Sequence, residues 1–441
     1  MGGFRTSASP YIGRVPSHWK DVRLKDVLRA PITDGPHETP IFVDEGYPFL
    51  SVDAIQDGRL ILEGCRFIDE SAFNEYRRKA APEQGDILMG KAASTGKIAR
   101  VSNNVEFAIW SPLALIRLDL FRADSGFVEY VLKTPGLQQQ IDDLCNSNTQ
   151  KNIGMGDISR LSFAMPPLTE QQHIANFLDE QTARIDALIA GKEKLSEQLE
   201  ELRLARIYAA LSQSSVAGSA LKSTRDEWFS SVPAHWSFCP LNYRYEVQLG
   251  KMLDEKRISG EHLLPYLRNT DVQWDRVNME GLPMMDFAPY ELERYTLRVG
   301  DLLVCEGGEV GRAAIWTSPA EVIGYQKALH RVRPRDARTD VPRFLFYALY
   351  DSAKRGRFDS REKATIAHLT AEAFRRYRFP FPPYVEQVSI VRHLDEVMRK
   401  IDALQQHADE HCSKLKEYRS SLISAAVTGQ IDINSFRLEA A

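Results

Sequence analysis

The sequence predicts an α+β chain made of one module used twice: two mixed α/β domains in a tandem pseudo-two-fold repeat, separated by two long helices that pair antiparallel as a coiled coil. Three observations lead there. Short motifs recur in the same order at a nearly constant offset. Each copy closes on a Pro-Pro pair followed by a long run without proline. The apolar residues of both runs step alternately by four and three, the 3.5-residue period of a coiled-coil seam.

The repeat comes first, because missing one misreads the whole fold. Val15-Pro16-Ser17-His18-Trp19 returns as Val232-Pro233-Ala234-His235-Trp236. Gly85-Asp86-Ile87-Leu88 returns as Gly300-Asp301-Leu302-Leu303. Pro166-Pro167-Leu168-Thr169-Glu170-Gln171 returns as Pro382-Pro383-Tyr384-Val385-Glu386-Gln387, and Ile185-Asp186-Ala187-Leu188 as Ile401-Asp402-Ala403-Leu404. Between these matches the two copies differ greatly. A shared frame with different filling fits one job done on two targets.

Each mixed segment holds short strand-like runs, such as Asp86 to Met89, Leu113 to Leu118 and Asp301 to Cys305, punctuated by Gly and Pro. The Pro-Pro pair then starts a helix, where proline is tolerated. Thr169 is the expected N-cap, and Glu170 supplies a first-turn carboxylate. The expected seam runs through Ile174, Leu178, Ile185, Leu188, Leu195, Leu199 and Leu202 in the first helix. In the second it runs through Ile390, Leu394, Val397, Ile401, Leu404, Leu415, Tyr418 and Leu422. The resulting division is a first domain over 1–168, a central helix over 169–213, a second domain over 214–384 and a C-terminal helix and tail over 385–441.

The chain has 441 residues, 43% of them hydrophobic and 26% charged, as in ordinary globular proteins. Its net charge of −4 gives no bulk attraction for nucleic acid, so any such contact must come from local Lys and Arg clusters. No apolar run approaches the roughly 18 residues of a membrane span, which argues against a membrane partner. The five cysteines, at 65, 145, 239, 305 and 412, show no metal or redox spacing. This suits a reducing compartment and predicts a cytoplasmic location.

Taken together, the VPxHW opening, the PPxxEQ helix start, the Ile-Asp-Ala-Leu run and the tail Ser421-Leu422-Ile423-Ser424-Ala425-Ala426-Val427-Thr428-Gly429-Gln430-Ile431 resemble the specificity subunits of type I restriction–modification systems. The resemblance covers essentially the whole chain. It implies that each mixed domain is a target-recognition domain for one half of a split double-stranded DNA site. It also implies that the helices set the spacing and dock two methylation subunits, with restriction subunits joining the assembly. S-adenosylmethionine, ATP and Mg are then expected on those partners, and no cofactor, metal or catalytic residue in this chain.

The motifs that could argue for an enzyme fail in detail. Gly90 to Lys97 resembles a phosphate loop, but five residues separate its glycines where four are needed, and Ile98 replaces the Ser or Thr. Phe381-Pro382-Pro383-Tyr384 resembles an adenine-methyltransferase element, but Phe381 replaces the amide that would hold the base. His407 and His411 are four apart on a helix and have no evident third ligand.

DNA is read by Arg or Lys at guanine, Asn or Gln at adenine, and polar loops at phosphate. In the first domain the candidates are Thr33, His37, Lys91, Ser94, Thr95, Lys97, Asn148, Gln150, Lys151 and Asn152. In the second they are Lys251, Arg257, Arg268, Asn269, Glu309, Arg312, Arg361, Lys363, Thr365 and His368. Trp110 and Trp274 are expected to pack rather than stack on bases. The alternative to DNA recognition is a non-catalytic coiled-coil scaffold with two protein-binding heads. A self-sufficient modifying enzyme would need a cofactor loop that the sequence does not supply.

Overall fold

The structure is a computed structural model that describes residues 3–102, 104–146, 151–213, 219–252, 259–319, 322–359 and 368–433. The candidates Asn148, Gln150, Arg257, Arg361, Lys363 and Thr365 lie outside the described residues. Among the described residues no helix is long and apolar enough to cross a membrane.

The chain forms two compact units, residues 1–192 with 410–441 and residues 193–409. The boundary falls inside both long helices, Leu168–Ser212 and Tyr384–Val427. Each unit therefore holds one mixed domain and part of each long helix. This division cuts across the one drawn at the helix ends.

In the first unit a four-stranded antiparallel sheet has the order Ile98–Arg100, Ile87–Gly90, Leu113–Ile116, Thr33–Asp34. A three-stranded sheet sets Tyr47–Leu50 between Ala108–Ile109, parallel, and Arg66–Ile68, antiparallel. The second unit repeats both. Its larger sheet runs Ala313–Ile315, Leu302–Cys305, Leu329–Pro334, Tyr245–Leu249, and its smaller one sets Leu263–Leu267 between Gly324–Tyr325 and Met284–Asp286. The middle strands Ile87–Gly90, Leu113–Ile116 and Leu302–Cys305 are wholly buried, which is why they read as unbroken apolar runs. The crossing of the two sheets demands glycine. A Cβ on Gly35 would stand 1.7 Å from the Ile109 carbonyl oxygen, and one on Gly250 would stand 2.3 Å from that of Gln326.

Each domain is tied to its long helix by a strand pair, Lys20–Arg23 with Ser162–Met165 in the first unit and Ser237–Pro240 with Arg378–Phe381 in the second. The carbonyls of Pro167 and Pro383 accept the first helical hydrogen bonds, from Gln171 and Gln387 N–H, 3.0 Å each. Pro167 is thus the cap and Thr169 is already inside the first turn. The expected Thr169 cap is corrected, because the helix starts one residue before it, at Leu168.

Asp186 of the first long helix pairs with Arg419 of the second at 2.9 Å, and Arg203 pairs with Asp402. As one helix number rises the other falls, so the two run antiparallel. The offset of 216 residues carries one ion pair onto the other. In the first unit Ile174, Leu178, Ile185 and Ile189 share a core with Leu422, Ile423, Ala426 and Val427. In the second, Leu199, Ile207 and Leu211 share one with Ile390, Leu394, Met398 and Ile401, while Val397 is partly buried beside it. Leu415 packs against the first core.

The expected seam is corrected at five positions. Leu188, Leu195, Leu202, Leu404 and Tyr418 are exposed. A straight α-helix has 3.6 residues per turn, so a strict 3.5-residue stripe drifts by about 20° per heptad. After Ile185 burial moves one residue on, to Ile189 and later Ile207 and Leu211. The second helix shows the same shift, with Leu404 exposed and Gln405 half-buried.

Candidate nucleic-acid interface

The two repeated motifs of each copy meet. In the first unit Trp19 donates its indole N–H to Glu170 Oε1 at 3.0 Å, and His18 Nε2 lies 2.9 Å from Glu170 Oε2. In the second, Trp236 donates to Glu386 at 3.0 Å and His235 Nε2 lies 2.9 Å from the same carboxylate. The next residue completes the clamp. Gln171 accepts from Asp124 N–H at 2.8 Å and donates to Pro166 O at 2.9 Å. Gln387 accepts from Val341 N–H at 2.9 Å and donates to Pro382 O at 2.8 Å. Further along, Tyr130 donates to Asp179 Oδ1 at 2.7 Å, and Tyr347 donates to Asp395. These side chains hold each sheet domain rigidly on its helix, as a reading surface needs.

A buried ion pair braces each larger sheet. Arg117 meets Asp86 at 2.7 Å and Arg333 meets Asp301 at 2.6 Å. The hydrogen bond to Asp86 holds the Arg117 guanidinium above its ordinary pKa. Half of the repeated Gly-Asp motif is explained by this: the aspartate is the buried partner.

At the end of each larger sheet the same loop is built twice. Gly90 N–H donates to Lys97 O at 2.8 Å and Gly96 N–H to Gly90 O at 2.9 Å. Cys305 N–H donates to Arg312 O at 2.8 Å and Gly311 N–H to Cys305 O at 3.0 Å. A second segment is stitched alongside: Ile153 N–H donates to Lys91 O at 2.9 Å, and Leu369 N–H to Glu306 O at 2.8 Å. Ala93 takes φ +62° where its counterpart Gly308 takes +72°. Loop geometry is therefore shared, while the side chains on it, Ala92-Ala93-Ser94-Thr95 against Gly307-Gly308-Glu309-Val310, are not. The strand Ile98–Arg100, not a helix, follows the first loop.

The structure brings most of the described candidates to these sheet ends and uses several of them internally. Thr33 sits in the strand ladder opposite Leu115. Asp34, fully buried, is paired by Lys91 at 2.9 Å and by Lys79, and His37 Nε2 lies 3.4 Å away. Burial pushes Asp34 up, but hydrogen bonds from Lys79 and Lys91 outweigh it and hold the carboxyl below its usual pKa. Thr95 donates to Lys151 O at 2.7 Å, and Lys151 pairs with Asp142 at 2.8 Å. Ser94 is half-buried, Asn152 is exposed beside the loop, and Lys97 is exposed with no ion pair among the described residues.

In the second unit Lys251 donates to Asp286 O at 2.6 Å and pairs with Glu291. Arg268 forks onto Asp271 at 2.8 and 2.9 Å. Asn269 donates to Gly307 O and Arg312 to Asn269 O, both at 2.9 Å. Glu309 accepts from Trp274 and Lys354, both at 2.7 Å. His368 is exposed beside Gly307. His330 donates its Nε2–H to Leu369 O at 2.7 Å, and burial pushes its pKa down to about 4.

Trp110 packs near Phe49, and Trp274 against Phe346 and Tyr350. Lys79 is not singled out from the sequence, and Glu170 is read there as a first-turn carboxylate, not as the partner of Trp19. The signal for the clamps was present: two motifs far apart in the chain recur at almost the same offset.

Comparison with known proteins agrees with this geometry. The family model described as type I restriction modification DNA specificity domain matches residues 16–201 and 246–410. The EcoKI specificity subunit of Escherichia coli K12 is 21% identical over 95% of this chain and 90% of its own length. The StySPI specificity subunit of Salmonella potsdam is likewise 21% identical, over the same shares of both chains. A chain from work on complex assembly and conformational transition of the type I R-M system has the same fold, with a TM-score of 0.70 at 17% identity, covering 95% of this chain and 99% of that one. The HsdS subunit from Thermoanaerobacter tengcongensis gives 0.52 at 16% identity, covering 95% and 98%.

Proposed function

We propose a division of labour for a chain that belongs to the type I restriction–modification DNA specificity family. The chain is the DNA-specificity subunit of such a system. Each mixed domain reads one half of a bipartite site, and the long helices fix the distance between the halves. The observation that carries this is the duplicated sheet-end loop: the same closing backbone bonds in both units, with different side chains displayed on it. One scaffold reading two sequences needs that combination.

The chain is non-catalytic by itself. Two methylation subunits carry S-adenosylmethionine and methylate adenine, and restriction subunits use ATP and Mg to translocate and cut. Leu188, Leu195 and Leu202, seven residues apart on one helix, and Leu404 and Tyr418 on the other are exposed, which supports docking of those partners along the helices. The assembly works in the cytoplasm.

The test is a heptad inserted into each long helix at repeat-equivalent points, after Lys192 and after Ala408. Seven residues add about 10 Å of helix, the length of about three base pairs. The methylated motif should keep both half-sites and gain about three unspecified base pairs. A change in either half-site sequence would refute the division.

A further inference from the structure

The second unit contains a cleft of about 920 Å³ between its sheet domain and its helix segments. The first unit has a cleft of about 350 Å³ at the repeat-equivalent place. The frame is common to both: Tyr130–Asp179 and Asp186–Arg419 in one, Tyr347–Asp395 and Arg203–Asp402 in the other. The lining is not. Where the first has Asp57, Glu129, Lys133 and Thr182, the second has Trp274, Phe346, Tyr350 and Met398. The first unit shows that the fold does not require aromatic walls there.

The polar groups differ in the same direction. In the first cleft Arg59 closes onto Asp186 at 2.9 Å. Its counterpart Arg276 is exposed and makes no ion pair among the described residues, and neither does Arg399. The other two guanidiniums are neutralised, Arg203 by Glu200 and Asp402, Arg343 by Asp275 and Asp395. Trp316, 2% exposed, also lines the cleft, with its buried indole nitrogen unpartnered among the described residues.

We propose that this cleft binds a small planar aromatic anion of mononucleotide size. The ring packs among the aromatic walls, and its phosphate or carboxylate meets Arg276 and Arg399. The volume lies in the range of small-ligand sites. The same chemistry could come from a free nucleotide or from a nucleotide of a DNA strand, and the proposal is the free one.

The test is calorimetric titration of the full chain with AMP, alongside adenosine, inorganic phosphate and a single-stranded oligonucleotide. Saturable binding of one AMP per chain is expected, with adenosine and phosphate each weaker by roughly tenfold or more. Arg276→Ala should weaken AMP by about tenfold, and Arg59→Ala should leave it unchanged. Trp274→Asp, which copies the first cleft, should abolish it. Trp274 packs on Phe346 and Tyr350, so Arg276→Ala decides the matter if that variant fails to fold. No saturable AMP binding at millimolar concentration, undiminished binding by Arg276→Ala, or binding of the oligonucleotide alone would each overturn the proposal. The DNA-reading function stands or falls independently of this result.

Discussion

Replacing Glu386 by alanine removes the carboxylate that joins the Val-Pro-x-His-Trp motif to the second long helix. Glu386 has a side chain 9% exposed and Trp236 is 1% exposed, so water cannot replace the lost acceptor. A buried donor left unpaired costs about 1–3 kcal/mol, and a hydrogen bond to a charged group contributes about 1.5–3 kcal/mol. The expected loss is about 2–3 kcal/mol in the second unit. For a unit of this size each kcal/mol shifts Tm by about 2–4 °C, so the transition should fall by roughly 5–10 °C. The Glu170 side chain is 35% exposed, and Glu170→Ala should cost about half as much, in the first unit. Glu386→Gln keeps an acceptor for the indole and should recover most of the loss. Differential scanning calorimetry of the full chain reads all three. Equal small shifts for both alanine variants, or no recovery by glutamine, would refute the clamp as a load path between motif and helix.

Two further predictions concern the sheet ends. His330 is neutral when folded, with a pKa of about 4 against about 6.5 unfolded. Below pH 6.5 the unfolded chain takes up a proton that the folded one refuses, so stability falls from there to pH 4, on the order of 3 kcal/mol. Urea titrations across that window should show it in the parent, and His330→Leu should lack this component. Lys97 is an exposed cation on the first loop with no ion pair among the described residues. Lys97→Ala should weaken DNA binding evenly across sequences and reduce the salt slope by about 1, and a change in preference at one base position would instead make it a base reader.

The duplication was legible because Val-Pro-x-His-Trp and Pro-Pro-x-x-Glu-Gln have chemistry that tolerates little change: a buried indole needs one acceptor, and a helix start needs its prolines. The two long helices were legible for the same reason, with ends within a residue or so of Leu168–Ser212 at the first. The packing register was not. Leu188, Leu195 and Leu202 look like seam residues at a 3.5-residue period, but the helix turns at 3.6, and the sequence alone does not say which period packing enforces. Nor could spacing reveal that Lys91 ends on Asp34 or Glu309 on Trp274, since these pairs meet only through the sheet crossing. The sequence therefore points to loop segments, while the internal partners of individual cations depend on tertiary neighbours.

The most direct test of the central claim is the adenine methylome of the native host, with and without this gene, where the partner subunits are expressed. Deleting the gene should abolish methylation at one split motif, two short defined halves around an unspecified spacer. An unchanged methylome would contradict it and favour a scaffold with two protein-binding heads.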